Sequence, residues 1–202
     1  MEALLELEEE YEEYAALCKC GMRTVLARIE NLHEEMELSD ERNFYDTIES
    51  RVKTFESVLE KLMRKGYEQD IESIKENIHD VAGIRIVTLF KDDIYKIRDA
   101  LLKQPSMEVV EERDYIESPK KTGYRSLHLL VLMHIYFRER AVSVPVEIQI
   151  RTKSMDLWAS LEHYCRYKND SPSEKAPESF DRIAKILDEF DNEAIGLRDR
   201  KN

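Results

Sequence analysis

Residues 143–151 read SVPVEIQIR, a stretch in which apolar and polar side chains alternate. In an extended chain, successive side chains point to opposite faces. One face would carry the four β-branched side chains of Val144, Val146, Ile148 and Ile150. The other face would carry Glu147, Gln149 and Arg151. The stretch therefore predicts a strand with one buried face, while its polar face either is simply hydrated or lines a cleft.

The rest of the chain predicts an α+β fold, in which helices surround a mixed sheet. Runs rich in Ile and Val predict three further strands, at residues 82–90, 109–116 and 125–135. Apolar residues at helical spacing predict helices at residues 54–65, 71–78, 92–103, 154–167 and 178–197, and one bent helix or two over residues 1–37. Thr54 and Asp92 are expected N-caps, Gly66 is an expected helix stop, and the polar residues 169–177 are expected to join the last two helices.

The composition argues against several classes of function. The chain has 31 Lys and Arg against 43 Asp and Glu, and its net charge of −12 opposes non-specific binding to nucleic acid. Its three cysteines lack C-x-x-C spacing, so we expect neither a disulfide framework nor a zinc site, and a reducing cytoplasm fits best. The acidic first residues do not resemble a targeting segment, and the most apolar stretch, residues 127–137, is too short to span a bilayer.

A basic turn before the strand predicted at residues 125–135 indicates a nucleotide site. Lys120 and Lys121 are followed by Gly123, which can adopt a positive φ, and by Tyr124. Lysine suits phosphate groups, and an aromatic ring suits a base. The turn therefore combines the two kinds of side chain that a nucleotide needs.

Tyr124, Ser126 and His128 fall on one face of the strand that follows this turn. The other residues of the strand are apolar enough for a central position in the sheet, where a polar face usually lines a cleft. The alternative for His128 is a hydrogen-bonded histidine within the core.

A second basic group lies upstream and consists of Arg51, Lys53, Lys61 and Arg64. Ser57 falls in the first turn of the helix predicted at residues 54–65, where backbone N–H groups favour a phosphate. Lys53, Ser57 and Lys61 are therefore candidates for holding a polyphosphate.

Asp80 and Glu147 are candidate ligands for a hard cation. Asp80 precedes the strand predicted at residues 82–90, and Glu147 lies on the polar face of residues 143–151. Mg²⁺ prefers one or two carboxylates together with phosphate oxygens and water. The dipeptide His79-Asp80 lacks the further His and Asp residues that a metal-dependent phosphohydrolase would need.

Several short motifs occur in the order and spacing of a known family. They are DVAGIR at residues 80–85, DYI at 114–116, PK at 119–120, GYRSLH at 123–128, EIQIRT at 147–152, WASLEH at 158–163 and YK at 167–168. Arg51-Val52-Lys53, Ser57 and Lys61 extend the match upstream. Over residues 40–170 the chain resembles the synthetase domain of the RelA/SpoT homologues. Because it lacks the hydrolase domain and the long regulatory part of those proteins, it most resembles the single-domain small alarmone synthetases, which are GTP pyrophosphokinases.

The resemblance implies a nucleotidyltransferase-like fold with helical extensions at both ends. It divides the chain into an N-terminal extension at residues 1–40, a synthetase domain at 41–170 and a C-terminal helix at 171–202. It also implies transfer of pyrophosphate from ATP to the 3′-hydroxyl of GDP or GTP, which yields ppGpp or pppGpp and AMP, with Mg²⁺ as the cofactor. The preference between GDP and GTP stays open.

The same resemblance implies a role for each candidate residue. On the ATP side, Arg51 and Arg85 would enclose the adenine, and the phosphates would bind Lys53, Ser57, Lys61 and Arg113. On the acceptor side, the guanine would contact Tyr124 and Asp156, and the rest of the site would be lined by Lys120, Lys121, His128 and Gln149. Asp80 and Glu147 would bind Mg²⁺, and Glu147 would also activate the 3′-hydroxyl.

The chain departs from the family pattern at two places. Thr122 stands where the acceptor loop commonly has Asn, which leaves the acceptor preference open. Residues 111–114 read EERD, which matches neither the basic nor the acidic version of this motif in long family members, although Arg113 favours the basic one.

Two other functions are opposed by particular residues. A relative of the same fold that pyrophosphorylates the 3′ end of tRNA is opposed by the net charge of −12 and by the joint presence of Tyr124, His128 and Gln149. A catalytically inactive nucleotide-binding scaffold is opposed by the retention of Asp80 and Glu147.

Assembly and regulation follow only from the resemblance. Small synthetases of this kind resemble homotetramers, and the apolar stripes of the terminal helices would either pair between subunits or pack on their own domain. The family also includes an enzyme that pppGpp activates in a cleft between subunits, and whether this chain has that effector site stays open.

Overall fold

The computed structural model describes residues 2–40, 43–105, 107–168 and 176–199. In chain order, these residues form α1 (Glu2–Asp40), β1 (Thr47–Val52), α2 (Phe55–Lys65), α3 (Ile71–Asn77), β2 (Ala82–Thr88), α4 (Lys91–Leu102), β3 (Met107–Asp114), β4 (Leu127–Phe137), β5 (Arg140–Thr152), α5 (Lys153–Lys168) and α6 (Ala176–Asp199). The predicted α+β class, with helices around a mixed sheet, is confirmed. Within these ranges, no helix combines the length and the apolar composition that crossing a bilayer requires.

The strands form one sheet in the order β1-β2-β5-β4-β3. β2 and β5 pair in parallel, and the other neighbouring strands pair antiparallel. The four predicted strands are confirmed, and β5 lies at the centre of the sheet. The strand β1 was not predicted, because its residues, TIESRV, form a mostly exposed edge strand without a regular apolar pattern.

The apolar face of β5 lies in the core, as its alternation predicts. Val144, Val146, Ile148 and Ile150 are fully buried. Helix α1 packs on this face and lies close to it at Gly21, where a Cβ would lie 2.9 Å from the Cβ of Val144. The N-terminal helical pattern therefore forms one helix, whose buried stripe covers the sheet of its own chain through Leu7, Tyr11, Cys18, Met22, Val25, Ile29 and Leu32.

The predicted ends of α2 are confirmed. Thr54 is the N-cap, and its side chain accepts a hydrogen bond from the Ser57 amide at 3.4 Å. Gly66 ends the helix with a φ of 73°, in the left-handed region that favours glycine.

The predicted N-cap role of Asp92 is wrong. Helix α4 begins one residue earlier, at Lys91, with Phe90 in the cap position. Asp92 lies in the first turn instead, where the helix dipole favours a carboxylate. It accepts two hydrogen bonds from Arg198 of α6, at 2.8 and 2.9 Å.

The strands β4 and β5 are joined by a two-residue connection. Phe137 pairs with Arg140, so Arg138 and Glu139 form the loop, with positive φ angles of 44° and 64°. Hairpin loops with two positive φ angles usually contain Asn and Gly, because other residues are strained there. This hairpin therefore uses two residue types that its backbone conformation does not favour.

The helices predicted at residues 154–167 and 178–197 are confirmed as α5 and α6. The polar connection predicted between them falls mainly on residues 169–175, outside the described residues. The division of the chain at residues 40 and 170 stays a prediction.

Candidate active site

The polar face of the sheet carries the candidate site. Because directly paired residues point to the same face, the strand register defines rows of side chains across the sheet. One row crosses all five strands and consists of Glu49, Arg85, Gln149, His128 and Arg113. The next row consists of Arg51, Gly83, Glu147, Leu130 and Glu111.

Two clefts open on this face and meet at Asp80 and Glu147, which line both of them. The larger cleft, of about 290 Å³, is also lined by side chains that include Lys61, Lys65, Arg113 and His128. The smaller cleft, of about 160 Å³, is also lined by residues that include Arg51, Lys53, Gly83, Arg85 and Gln149. No atom lies within 4 Å of the position that a Cβ of Gly83 would occupy, so the second row is open between Arg51 and Glu147.

Asp80 is bound by two lysines of the upstream basic group. Lys61 Nζ donates to its Oδ1 at 2.8 Å, and Lys53 Nζ donates to its Oδ2. Burial would raise the pKa of Asp80, but the two lysines hold that pKa below its ordinary value. Asp80 is therefore an anion in contact with two cations suited to phosphate.

Glu147 is held by two neighbours on the first row. Gln149 Nε2 donates to its Oε2 at 2.7 Å, and His128 Nδ1 lies 3.3 Å from its Oε1. Burial would raise the pKa of Glu147, but the hydrogen bonds from His128 and Gln149 hold that pKa below its ordinary value. Arg151 Nη2 in turn donates to Gln149 Oε1, which leaves the amide nitrogen to face Glu147.

His128 also joins Glu147 to an aromatic cluster at the end of β4. Its Nε2 lies 2.9 Å from the Tyr124 hydroxyl, and its ring packs edge-on against Tyr115 with centroids 5.2 Å apart. Lys120 Nζ lies 4.4 Å from the Tyr115 ring centroid and 4.7 Å from that of Tyr124. His128 is therefore hydrogen-bonded and also lines the larger cleft.

The residues that flank Tyr124 serve the fold. Gly123 has a φ of 86°, as the sequence predicts. Ser126, expected on the same face as Tyr124 and His128, is fully buried and donates to the carbonyl oxygen of Ile150 at 3.2 Å.

Asp156, in the first turn of α5, lies between two arginines. Its Oδ1 is 3.6 Å from Arg85 Nη1 and 3.4 Å from Arg151 Nη1. Within the described residues, this buried oxygen accepts no hydrogen bond, because neither guanidinium group is aligned for one. Asp156 therefore pairs with two guanidinium groups by charge, and its side chain is 30% exposed.

Three other residues predicted to belong to the site lie apart from Asp80 and Glu147. Arg113 lines the larger cleft and makes two bonds to Glu111, at 2.6 and 2.8 Å. The Ser57 hydroxyl is 3.2 Å from that of Thr54, at the beginning of α2, and Ser57 lines neither cleft. Lys121 is exposed in the turn before Gly123.

The donor set at the junction of the clefts suits a hard cation. Asp80 and Glu147 are both held in the charged form and offer oxygen ligands. Among the described residues, no group of three or more His, Cys, Asp and Glu side chains is arranged to hold a metal. A cation here would therefore need further oxygen ligands from a bound phosphate or water.

Several residues of this region have no role predicted from the sequence. Lys65, Tyr67 and His79 line the larger cleft. Arg151, which is 3% exposed, contacts Gln149 and Asp156, and its place on the polar face of β5 was a usable signal. Tyr115 belongs to the DYI motif, but nothing in its local pattern indicates contact with His128.

Comparison with known proteins connects this geometry to a family. Residues 50–172 match the family described as a region found in RelA / SpoT proteins. The chain is 38% identical to the GTP pyrophosphokinase YwaC of Bacillus subtilis, over 98% of this chain and 95% of that protein.

Solved structures show the same likeness. Small alarmone synthetase 2 from Bacillus subtilis has a TM-score of 0.84 and 34% identity, over 95% of this chain and 99% of the other. Small alarmone synthetase 1 from the same organism, bound to its product pppGpp, has a TM-score of 0.86 and 30% identity, over 95% and 98% of the two chains. The conserved architecture, the full-length similarity and the match over residues 50–172 together show that this chain belongs to the RelA/SpoT family.

Proposed function

We propose that this chain is a GTP pyrophosphokinase, which transfers pyrophosphate from ATP to the 3′-hydroxyl of GDP or GTP and releases AMP with ppGpp or pppGpp. The observation that carries the proposal is the position of Asp80 and Glu147, which line two adjoining clefts that also contain cationic side chains. The name of YwaC and the pppGpp-bound structure of small alarmone synthetase 1 support the same reaction.

ATP would bind on the β1 side of Asp80. Arg51 and Arg85 lie on neighbouring strands, and Gly83 leaves open space beside them. Guanidinium groups stack on aromatic faces, so the two arginines suit the two faces of an adenine. The phosphates would then meet Lys53, Lys61, Arg113 and Ser57 at the beginning of α2.

Phosphate binding would change the partners of Asp80. Lys53 and Lys61 both bind Asp80. Phosphate oxygens compete for the same ammonium groups, so ATP would draw the lysines away and leave the Asp80 carboxylate available.

The guanine nucleotide would bind on the β4 side of Glu147. Tyr124 would stack on the guanine, and Lys120, Lys121, His128 and Gln149 would line the remainder of this site. Asp156 would accept hydrogen bonds from guanine N1–H and N2–H, because a carboxylate is an acceptor and the Asp156 side chain is 30% exposed.

Glu147 would act as the general base for the 3′-hydroxyl. It is ionised, and His128 and Gln149 hold its two oxygens in place. A fixed carboxylate can accept the hydroxyl proton while the clefts align the two nucleotides for in-line transfer. We propose Mg²⁺ as the cation of Asp80 and Glu147, where it would neutralise the charge of the transferred phosphates.

The decisive experiment incubates the purified chain with ATP, Mg²⁺ and either GDP or GTP. We expect AMP and a 3′-pyrophosphorylated guanine nucleotide in equal amounts, and no product when EDTA removes the metal. Absence of AMP with every acceptor would favour an inactive scaffold. Transfer of label from ATP to tRNA and not to GDP or GTP would favour the tRNA-modifying alternative.

We further propose a cytoplasmic homotetramer assembled through α5 and α6. Two helix faces carry exposed apolar side chains: Leu157, Leu161 and Tyr164 on α5, and Ile186, Phe190 and Leu197 on α6. Such faces are typical of subunit contacts. pppGpp is the candidate effector, and the rate of AMP formation with added pppGpp tests its action.

A further inference from the structure

Helix α6 contacts the loop that carries Tyr124, although it lies beyond residue 172, where the family match ends. We call residues 119–126 the acceptor loop. A Cβ on Gly123 would lie 2.6 Å from the Cβ of Ala184, a distance that real Cβ atoms do not reach. Ala184 is itself only 4% exposed. The loop and α6 therefore fit together without space for another carbon atom.

Trp158 connects α6 to the ring of Tyr124. The Trp158 Nε1 donates to the carbonyl oxygen of Phe180 at 3.2 Å, and the two rings pack with centroids 5.9 Å apart. The Trp158 ring also packs edge-on against Tyr124, with ring centroids 6.1 Å apart. Trp158 is 2% exposed, so a shift of Phe180 must move the support of Tyr124.

The residue after Tyr124 is also attached to α6. Arg125 Nη1 donates to the carbonyl oxygen of Ala184 at 3.4 Å, and its Nε lies 3.5 Å from Asp188 Oδ1. Helix α6 thus contacts Gly123 and Arg125 directly, and it supports the Tyr124 ring through Trp158.

Helix α6 is in turn anchored to the rest of the fold. Asp191, which is 2% exposed, accepts hydrogen bonds from Thr152 at 2.7 Å and from Ser154 at 2.5 Å. Lys91 of α4 binds Asp188 at 2.7 Å. These bonds fix α6 against the end of β5 and against α4, so the helix supplies a fixed surface for the acceptor loop.

We propose that α6 is a positioning element of the guanine site, with Ala184 and Phe180 as positioning residues that hold Tyr124 in place to stack on the guanine. The proposal rests on the proposed function, because it concerns the acceptor of that reaction. Its effect is selective, since these contacts reach the acceptor loop, whereas the residues assigned to ATP come from β1, α2, β2, β3 and Lys53.

The test replaces Ala184 with valine, which adds two methyl groups where Gly123 leaves no space. Lys185→Val is the matched control, because it places the same side chain on the same helix at a position whose side chain is 67% exposed. In Ala184→Val we expect KM for GDP and GTP to rise by about tenfold or more, with KM for ATP within about twofold of the unmodified value. Lys185→Val should leave all three constants unchanged.

Fluorescence gives a second readout that a general loss of stability would not produce. Trp158 is the single tryptophan of the chain and contacts Tyr124, so its emission should change as GDP is titrated. In Ala184→Val the same change should require about tenfold more GDP, while thermal unfolding shows a folded protein.

Three results would overturn the proposal: an unchanged KM for GDP in folded Ala184→Val, an equal rise of KM for ATP and GDP, or an equal effect of Lys185→Val. If Ala184→Val does not fold, Ala184→Ser decides, because its smaller side chain should raise KM for GDP by a few fold and leave KM for ATP unchanged. The unmodified chain is assayed in parallel. Its failure to form AMP would refute the proposed function, and the GDP titration of Trp158 would still decide the role of α6.

Discussion

Burial raises the pKa of Asp80 and of Glu147, whereas hydrogen bonding lowers the pKa of both. The hydrogen-bond donors differ between the two carboxylates. Asp80 is held by Lys53 and Lys61, whose ammonium groups a polyphosphate can attract away from the carboxylate. Glu147 is held by His128 and Gln149, which lie on neighbouring strands in the same row. Asp80 is therefore suited to exchange partners when ATP binds, whereas Glu147 is suited to remain fixed as a base.

Replacing Glu147 with glutamine should abolish synthesis and leave the fold intact. The amide cannot accept the 3′-hydroxyl proton or bind Mg²⁺ as an anion, so we expect the rate of AMP formation to fall by about 10³-fold or more. Glu108→Gln is the control, because Glu108 is exposed on β3 and remote in register from the site. Near-normal turnover of Glu147→Gln would exclude Glu147 as the base.

Replacing Gln149 with leucine should move the acidic limb of kcat to higher pH. In the unmodified chain the pKa of Glu147 lies below its ordinary value of 4.5, so the carboxylate stays ionised, and activity persists, as the pH falls toward 4.5. Without the Gln149 bond, only His128 offsets burial, so the pKa of Glu147 rises and protonation removes the base at higher pH.

The measurement is kcat at saturating substrate across the acidic range, which separates this effect from weaker acceptor binding. Gln104→Leu, at a half-buried position after α4, serves as the control. An acidic limb that does not move in Gln149→Leu would show that the Gln149 bond has no influence on Glu147.

Among the elements, the β4–β5 hairpin has backbone strain in its loop, which lies outside the candidate active site. Arg138 and Glu139 both have positive φ, and the Arg138–Glu13 ion pair at 3.3 Å joins two side chains that are each 70% exposed. Such an exposed pair contributes little to stability.

Replacing Arg138 and Glu139 with Asn and Gly should stabilise the chain. Both residues accept positive φ, so we expect the free energy of unfolding to rise by about 1 kcal/mol and Tm by about 2–4 °C. Thermal unfolding measures the change, and Glu13→Ala reports the separate loss of the ion pair. A lower Tm in the double variant would show that the native residues are not strained.

Helices and strands with a local sequence pattern could be predicted. Those whose position depends on contacts between residues distant in sequence could not. The alternation in β5 predicts its buried face, and Thr54 and Gly66 predict the ends of α2. β1 is missed because an edge strand needs no apolar face. The beginning of α4 is misplaced because Phe90 takes the cap position without a side-chain hydrogen bond, so no capping residue type marks it.

The site follows the same rule. Glu147 and Gln149 are candidates from the alternation of one strand alone. The row that joins Arg85 to Arg113 requires the strand order, which pairs β2 with β5 and β5 with β4. The contact of Gly123 with Ala184 joins residues distant in sequence, and neither residue type indicates it.

At the scale of the whole molecule, the two terminal helices differ in what their apolar residues contact. The stripe of α1 is buried on the sheet of its own chain. On α6, Ile186, Phe190 and Leu197 are 56%, 61% and 64% exposed. Of the two alternatives for the terminal helices, packing on their own domain holds for the stripe of α1, and we propose pairing between subunits for the exposed side chains of α6.

Replacing Ile186 and Phe190 with glutamate should dissociate the assembly. Two charges in an apolar contact cannot be hydrated there, so we expect light scattering to give the mass of a single chain for the double variant and a larger mass for the unmodified protein. Lys185→Glu is the control, because it adds a carboxylate at an exposed position of the same helix. A single-chain mass for the unmodified protein would remove the tetramer proposal.

The parallel pairing of β2 with β5 also determines when, during its own synthesis, the chain can become active. Gly83 lies opposite Glu147, so one edge of β2 has no partner until the ribosome has made β3, β4 and β5. Contacts between residues so distant in sequence form late, because a long loop must close first. The acceptor loop can pack only later still, after α6 has emerged from the ribosome. We therefore expect a nascent chain that ends before β5 to form no AMP, because it lacks Glu147, and to expose an edge of β2 to aggregation during translation.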